Sequence, residues 1–148
     1  MVDLLFRTGN MLAMLGWIAL VVAPLTSRYR ALLQGFAGLA IPLTLAIAYV
    51  GLVGTGWGAA HGGYGSVAAV RALFDSPDML VAGWLHYLAF DLFVGTWIAR
   101  EGARAGLPHL VLIPCFALTF LFGPAGFLAF VLLRAGFGRP AQTLVGQG

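Results

Sequence analysis

"GWLHYLAFDLFVGTWIAR", residues 83–100, is almost wholly apolar, yet it carries His86 and, five residues later, Asp91. Its length and hydrophobicity suit a helix that crosses a bilayer core of about 30 Å, which takes roughly 20 residues. Near the middle of such a helix an aspartate costs about 2.5–3.5 kcal/mol to insert. An ionisable residue at that depth is by default a candidate functional site.

The rest of the chain supports the membrane reading. Of its 148 residues, 61% are hydrophobic and only 9% charged, and the mean hydropathy is +0.95. A soluble domain is about 25% charged, so this chain lacks the polar surface to cover itself in water. The net charge of +3 comes from eight arginines and no lysine. These arginines punctuate the apolar runs and form no patch, which argues against nucleic acid as a partner and for the lipid bilayer. The single cysteine, Cys115, excludes an internal disulfide.

Four apolar runs, about residues 9–25, 35–53, 79–99 and 109–133, predict an all-α, polytopic four-transmembrane-helix bundle in one domain, with a flexible tail over 135–148. The first run resembles a signal peptide, but no cleavage site precedes a soluble domain, and we read it as retained. The longer connection between helices two and three opens with the glycine cluster "GTGWGAAHGGYG" (54–65). It continues into a short interfacial helix in which Val67, Val70, Leu73 and Phe74 recur at helical spacing. "SPD" (76–78) reads as the start of helix three. Four spans would put both termini on one side. The arginines then tie, with Arg7, Arg71, Arg134 and Arg139 against Arg28, Arg30, Arg100 and Arg104, so orientation stays unassigned. Ala40, Thr44 and Ala48 give helix two a small face, which predicts close packing on helix four. Pro42, Pro114 and Pro124 are expected to bend their helices.

At about 100° per residue, Trp84, Tyr87 and Asp91 share one stripe of helix three. His86, Phe90, Phe93 and Trp97 share another. The two ionisable groups are about 140° apart, too far round the helix for a direct bond, but able to flank a cavity. Asn10, Thr44, Tyr49, Thr96 and Thr119 are further polar groups at bilayer depth, and no arginine is expected there to pair with Asp91. A carboxyl group so placed favours its neutral form and can donate a proton. A metal site needs about three convergent ligands, whereas His61 and His109 lie on other segments than His86. No HExxH, CxxC or phosphate-loop pattern occurs, and no cofactor is expected.

"AGWLHYLAFDLFVGTWI" (82–98), followed by "LPHLVLIPCFALTFLFGPAGFLAFVLLR" (107–134), resembles the abscisic-acid-deficient-four-like membrane proteins, whose plant members are associated with neoxanthin synthesis. The W-x-H-x4-D-L-F and F-G-P-x-G patterns carry the likeness, over about residues 65–134. The resemblance implies a multi-pass membrane protein and a candidate reaction, the cofactor-free isomerisation of an epoxy-carotenoid or related isoprenoid to an allenic alcohol. It casts Asp91 as acid, His86 as base or relay and Tyr87 as support for Asp91. Trp84, Phe90, Phe93, Trp97, Asn10 and Thr119 would line the substrate slot. The residue usage suggests a bacterial inner-membrane protein.

Three readings follow. An isomerase requires His86 and Asp91 to face one lipid-accessible cavity. A non-catalytic carotenoid- or lipid-binding or accessory protein requires an apolar groove, with Asp91 tied to another helix. A small transporter requires a polar path across the membrane and, at this size, a homo-oligomer.

Overall fold

The computed structural model describes residues 1–137 and is helical, with no strand among the described residues. Three helices are long and apolar enough to cross a membrane. The first is α1 (Val2–Val22), closed by a 3₁₀ turn over Ala23–Leu25. The second runs from α2 (Arg30–Gly35) through a π turn at Phe36–Ala40 into α3 (Ile41–Gly56). Pro42 explains the π turn: it offers no N–H to the Gly38 carbonyl four residues back, so the ladder must widen locally. The third is α5 (Pro77–Arg104), 28 residues and about 42 Å long. The short helix predicted between the second and third spans is α4 (Val67–Phe74), capped by Ser66 Oγ accepting from Ala69 N–H at 3.1 Å.

The expected fourth span is absent as a single helix. Residues 109–133 break at Gly123 into α6 (His109–Phe122) and α7 (Pro124–Phe137). Each has 14 residues, about 21 Å, short of a bilayer core. They also fold back on each other. Gly126 in α7 packs against Thr119 and the Cys115 carbonyl in α6, eleven residues away in sequence, a separation that a continuous helix would make about 16 Å.

Contacts along α5 fix the direction of every helix. In α1, Gly9 meets Leu85 and Gly16 meets Leu92, so α1 runs parallel to α5. In the second span Gly38 meets Thr96 and Gly56 meets Met79, so it runs antiparallel. In α6, Gly102 of α5 meets Leu112 and Gly123 meets Asp91, again antiparallel. In α7, Phe127 and Phe130 pack against Trp97, the latter edge-on, and Arg134 pairs with Glu101, so α7 returns in the α5 direction. The α6–α7 hairpin therefore enters and leaves at one end of the bundle, and its tip stops at the middle of α5.

This hairpin breaks the arginine tie. Arg134 moves to the end that holds Arg28, Arg30, Arg100 and Arg104, giving five arginines there against Arg7 and Arg71 at the other. Arg139 and most of the expected tail lie outside the described residues, while 135–137 are helical. The packing expected of helix two also changes. Ala40 and Thr44 are exposed, and the Thr44 hydroxyl donates back to the Ala40 carbonyl at 2.9 Å. The buried face is Gly38, Ile41, Leu45, Leu52 and Gly56, against α1 and α5. Glycine, without a Cβ, allows the closer approach.

Candidate functional site

The two stripes read from the sequence exist and face different partners. On the first, the Trp84 and Tyr87 rings lie tilted against each other with centroids 5.4 Å apart, and Trp84 Nε1 donates to Asn10 Oδ1 of α1 at 3.2 Å. The Tyr87 hydroxyl lies beside Asp91 one turn on and donates to the Phe120 carbonyl of α6 at 3.1 Å. That carbonyl needs an outside donor because its usual partner four residues later would be Pro124, which has no N–H.

Asp91 sits against the hairpin tip. Gly123 has φ +43° and ψ −93°, a backbone that L side chains rarely adopt. A Cβ there would stand 2.7 Å from Asp91 Oδ1, so only glycine lets the turn come this close. Asp91 Oδ2 is buried and has no hydrogen-bond partner among the described residues. The F-G-P-x-G pattern thus has a physical reading: Gly123 makes the turn, Pro124 begins α7, and Gly126 closes the hairpin on Thr119.

On the second stripe His86, Phe90 and Phe93 face α3 and the exposed surface of the bundle, whereas Trp97 turns to α7. His86 stacks on Phe90 with centroids 4.5 Å apart and lies 5.7 Å from the Tyr49 ring of α3. His86 lines a chamber of about 240 Å³ with Tyr49, Val53, Tyr64, Phe74 and Met79. Its imidazole is exposed and makes no hydrogen bond among the described residues. Phe90 and Phe93 line the neighbouring groove, about 320 Å³, with Leu39, Pro42, Leu43 and Ala46. That groove is apolar, and the His86–Phe90 stack joins one wall residue of the chamber to one of the groove. A chamber with a histidine beside an apolar groove suits an elongated amphiphile with its oxygenated end at the histidine.

The expected site residues therefore divide. His86, Phe90 and Phe93 share the α3–α5 face. Asn10, Trp84, Tyr87 and Asp91 share the face toward α1 and the hairpin. Trp97 packs on Phe127 and Phe130 of α7. Thr119 is fully buried, with its hydroxyl donating to the Cys115 carbonyl at 2.8 Å. No described cavity is lined by both His86 and Asp91. Tyr49 and Tyr64 of the chamber were not among the expected site residues. Their signal was a lone tyrosine in an apolar helix and another in the glycine cluster. Among the described residues, no three metal-ligating side chains converge.

The profile of the ABA DEFICIENT 4-like family matches residues 4–130. The chain belongs to this family. The match extends the likeness seen in the sequence back through the first two spans, and it includes the hairpin tip. No curated protein and no solved structure matches the chain. Family and helices together make it a carotenoid-related membrane protein of the ABA DEFICIENT 4-like type.

Proposed function

We propose that this ABA DEFICIENT 4-like protein binds a carotenoid or related isoprenoid along the α3–α5 face, with the oxygenated end group in the His86 chamber and the chain in the Phe90–Phe93 groove. The observation that carries this reading is the stack of His86, an unbonded imidazole on the wall of one cavity, on Phe90, which lines a neighbouring apolar groove. Aromatic faces and aliphatic walls suit a polyene, whose binding is driven by burial of apolar surface. Asp91 is a positioning residue in this account: it braces the hairpin from the opposite face of α5. The arginine-rich end faces the cytoplasm of a bacterial inner membrane, following the excess of positive charge on cytoplasmic loops.

A second reading is isomerisation of an epoxide at the same end group, favoured by the His86–Tyr49 pair in the chamber. The Tyr49 hydroxyl would protonate the epoxide oxygen while His86 takes a proton from the adjacent polyene carbon. One proton enters and one leaves, with no change in oxidation state and no cofactor. This chemistry moves the acid role away from Asp91.

The test is expression in a bacterial strain that accumulates epoxy-carotenoids. Wild-type protein is expected to retain pigment through purification, and Phe93→Ala to lose most of it. A product of unchanged mass and shifted retention, present with the wild type and lost with His86→Ala, would add catalysis to binding. Wild-type protein that purifies colourless, with cellular pigments unchanged, would refute both readings.

A further inference from the structure

We propose that the arginine-rich end of the bundle holds the phosphate headgroup of one anionic phospholipid, in the cavity bounded by Arg30, Gln34 and His109. The argument begins with charge. This end carries five of the described arginines and one acid, Glu101, which Arg104 and Arg134 both engage. Arg28, Arg30 and Arg100 have no carboxylate partner among the described residues. The opposite end balances Arg7 and Arg71 with Asp3, Asp75 and Asp78.

Of the unpaired three, Arg28 lies over the Tyr29 ring at 5.6 Å. Arg30 lines a cavity of about 190 Å³ between α2, α5 and α6. There its guanidinium reaches only the Pro24 carbonyl, at 3.5 Å, which leaves donors free for a phosphate. The Gln34 amide adds further donors. His109 joins the wall, its Nε2 held 3.1 Å from the Val21 carbonyl at the end of α1.

The cavity is amphipathic. Ala99, Ala103, Leu107 and Leu112 form its apolar part. It lies beside the ends of α1 and α5, where a bilayer places its headgroups. A basic rim over an apolar floor suits a lipid, with phosphate on Arg30 and the first acyl carbons below, better than a free anion. Basic pockets between membrane helices bind acidic headgroups by the same chemistry. The site is separate from the α3–α5 groove, so it stands or falls independently of the isoprenoid reading.

The experiment is native mass spectrometry of the full chain in neutral detergent, titrated with phosphatidylglycerol or phosphatidylcholine. Wild-type protein is expected to bind one phosphatidylglycerol in preference to phosphatidylcholine. Arg30→Gln should weaken that binding about tenfold, the loss expected for one hydrogen bond to a charged group. Arg30→Lys, which keeps the charge, should recover part of it. Arg28→Gln, outside the cavity, should leave it unchanged. Equal binding of the two lipids, or an Arg30→Gln variant that binds like the wild type, would overturn the proposal. Displacement of the lipid by millimolar inorganic phosphate would overturn it too, by assigning the cavity to a free anion.

Discussion

Gly123→Ala should destabilise the protein through two separable effects. The first is backbone strain. With φ +43° and ψ −93°, an alanine would pay about 1–3 kcal/mol for a sparsely populated conformation. The second is steric. The new Cβ would stand 2.7 Å from Asp91 Oδ1, closer than real Cβ contacts, and 3.3 Å from Oδ2, tighter than most. Forcing an extra carbon into such a place typically costs about 1–3 kcal/mol. The total is about 2–6 kcal/mol. A double-mutant cycle separates the terms: Asp91→Ala removes both clashing oxygens but leaves the strain. The Gly123→Ala penalty should therefore shrink, but not vanish, in the Asp91→Ala background, with a coupling of about 1–3 kcal/mol. Thermal unfolding in one detergent, followed by tryptophan fluorescence, gives the comparison. A Gly123→Ala penalty below about 0.5 kcal/mol, or strictly additive effects, would refute the packing of the hairpin tip on Asp91.

Other outcomes follow from the same contacts. Tyr87→Phe should lower stability by about 1–3 kcal/mol in the same unfolding assay, because the Phe120 carbonyl loses its donor and Pro124 cannot replace it. Gly126→Val should be more disruptive than Gly54→Val, since a Cβ at Gly126 meets Thr119 and the Cys115 carbonyl while Gly54 opens onto free space; the measurement is the yield of monodisperse protein. Reporters fused to the two termini should lie on opposite sides of the membrane, because the three spans cross it an odd number of times and the hairpin returns to the side it entered from. Reporters on the same side would restore a fourth span.

Much of this was readable before any coordinates. Strong periodicity placed Trp84, Tyr87 and Asp91 on one face of α5 and His86, Phe90 and Phe93 on another, since helical angle follows from spacing alone. The start of α5 at "SPD" and the short α4 followed from capping residues and spacing. The hairpin was missed for a physical reason. Residues 109–133 are uniformly apolar and long enough for one span, and hydropathy carries no information on direction. The Gly123–Pro124 pair did hold the signal, glycine ending one helix and proline opening the next, but it reads equally as a kink. The packing face of α3 was misjudged because small residues lie on two sides of that helix. Only the contacts of Gly38 and Gly56 with α5 select one. Whether His86 and Asp91 share a cavity depends on what packs against each face of α5, which spacing within one helix does not encode.

The most direct test of the central claim, that the α3–α5 groove holds the isoprenoid, is pigment retention by groove-filled protein. Ala46 lines the groove, whereas Ile47, the next residue, is 74% exposed and lies outside it. Absorbance of co-purified carotenoid per mole of protein would be compared for the wild type, Ala46→Trp and Ile47→Trp. The account predicts that Ala46→Trp loses the pigment while Ile47→Trp keeps it. Equal retention by both variants would place the ligand elsewhere and contradict the account.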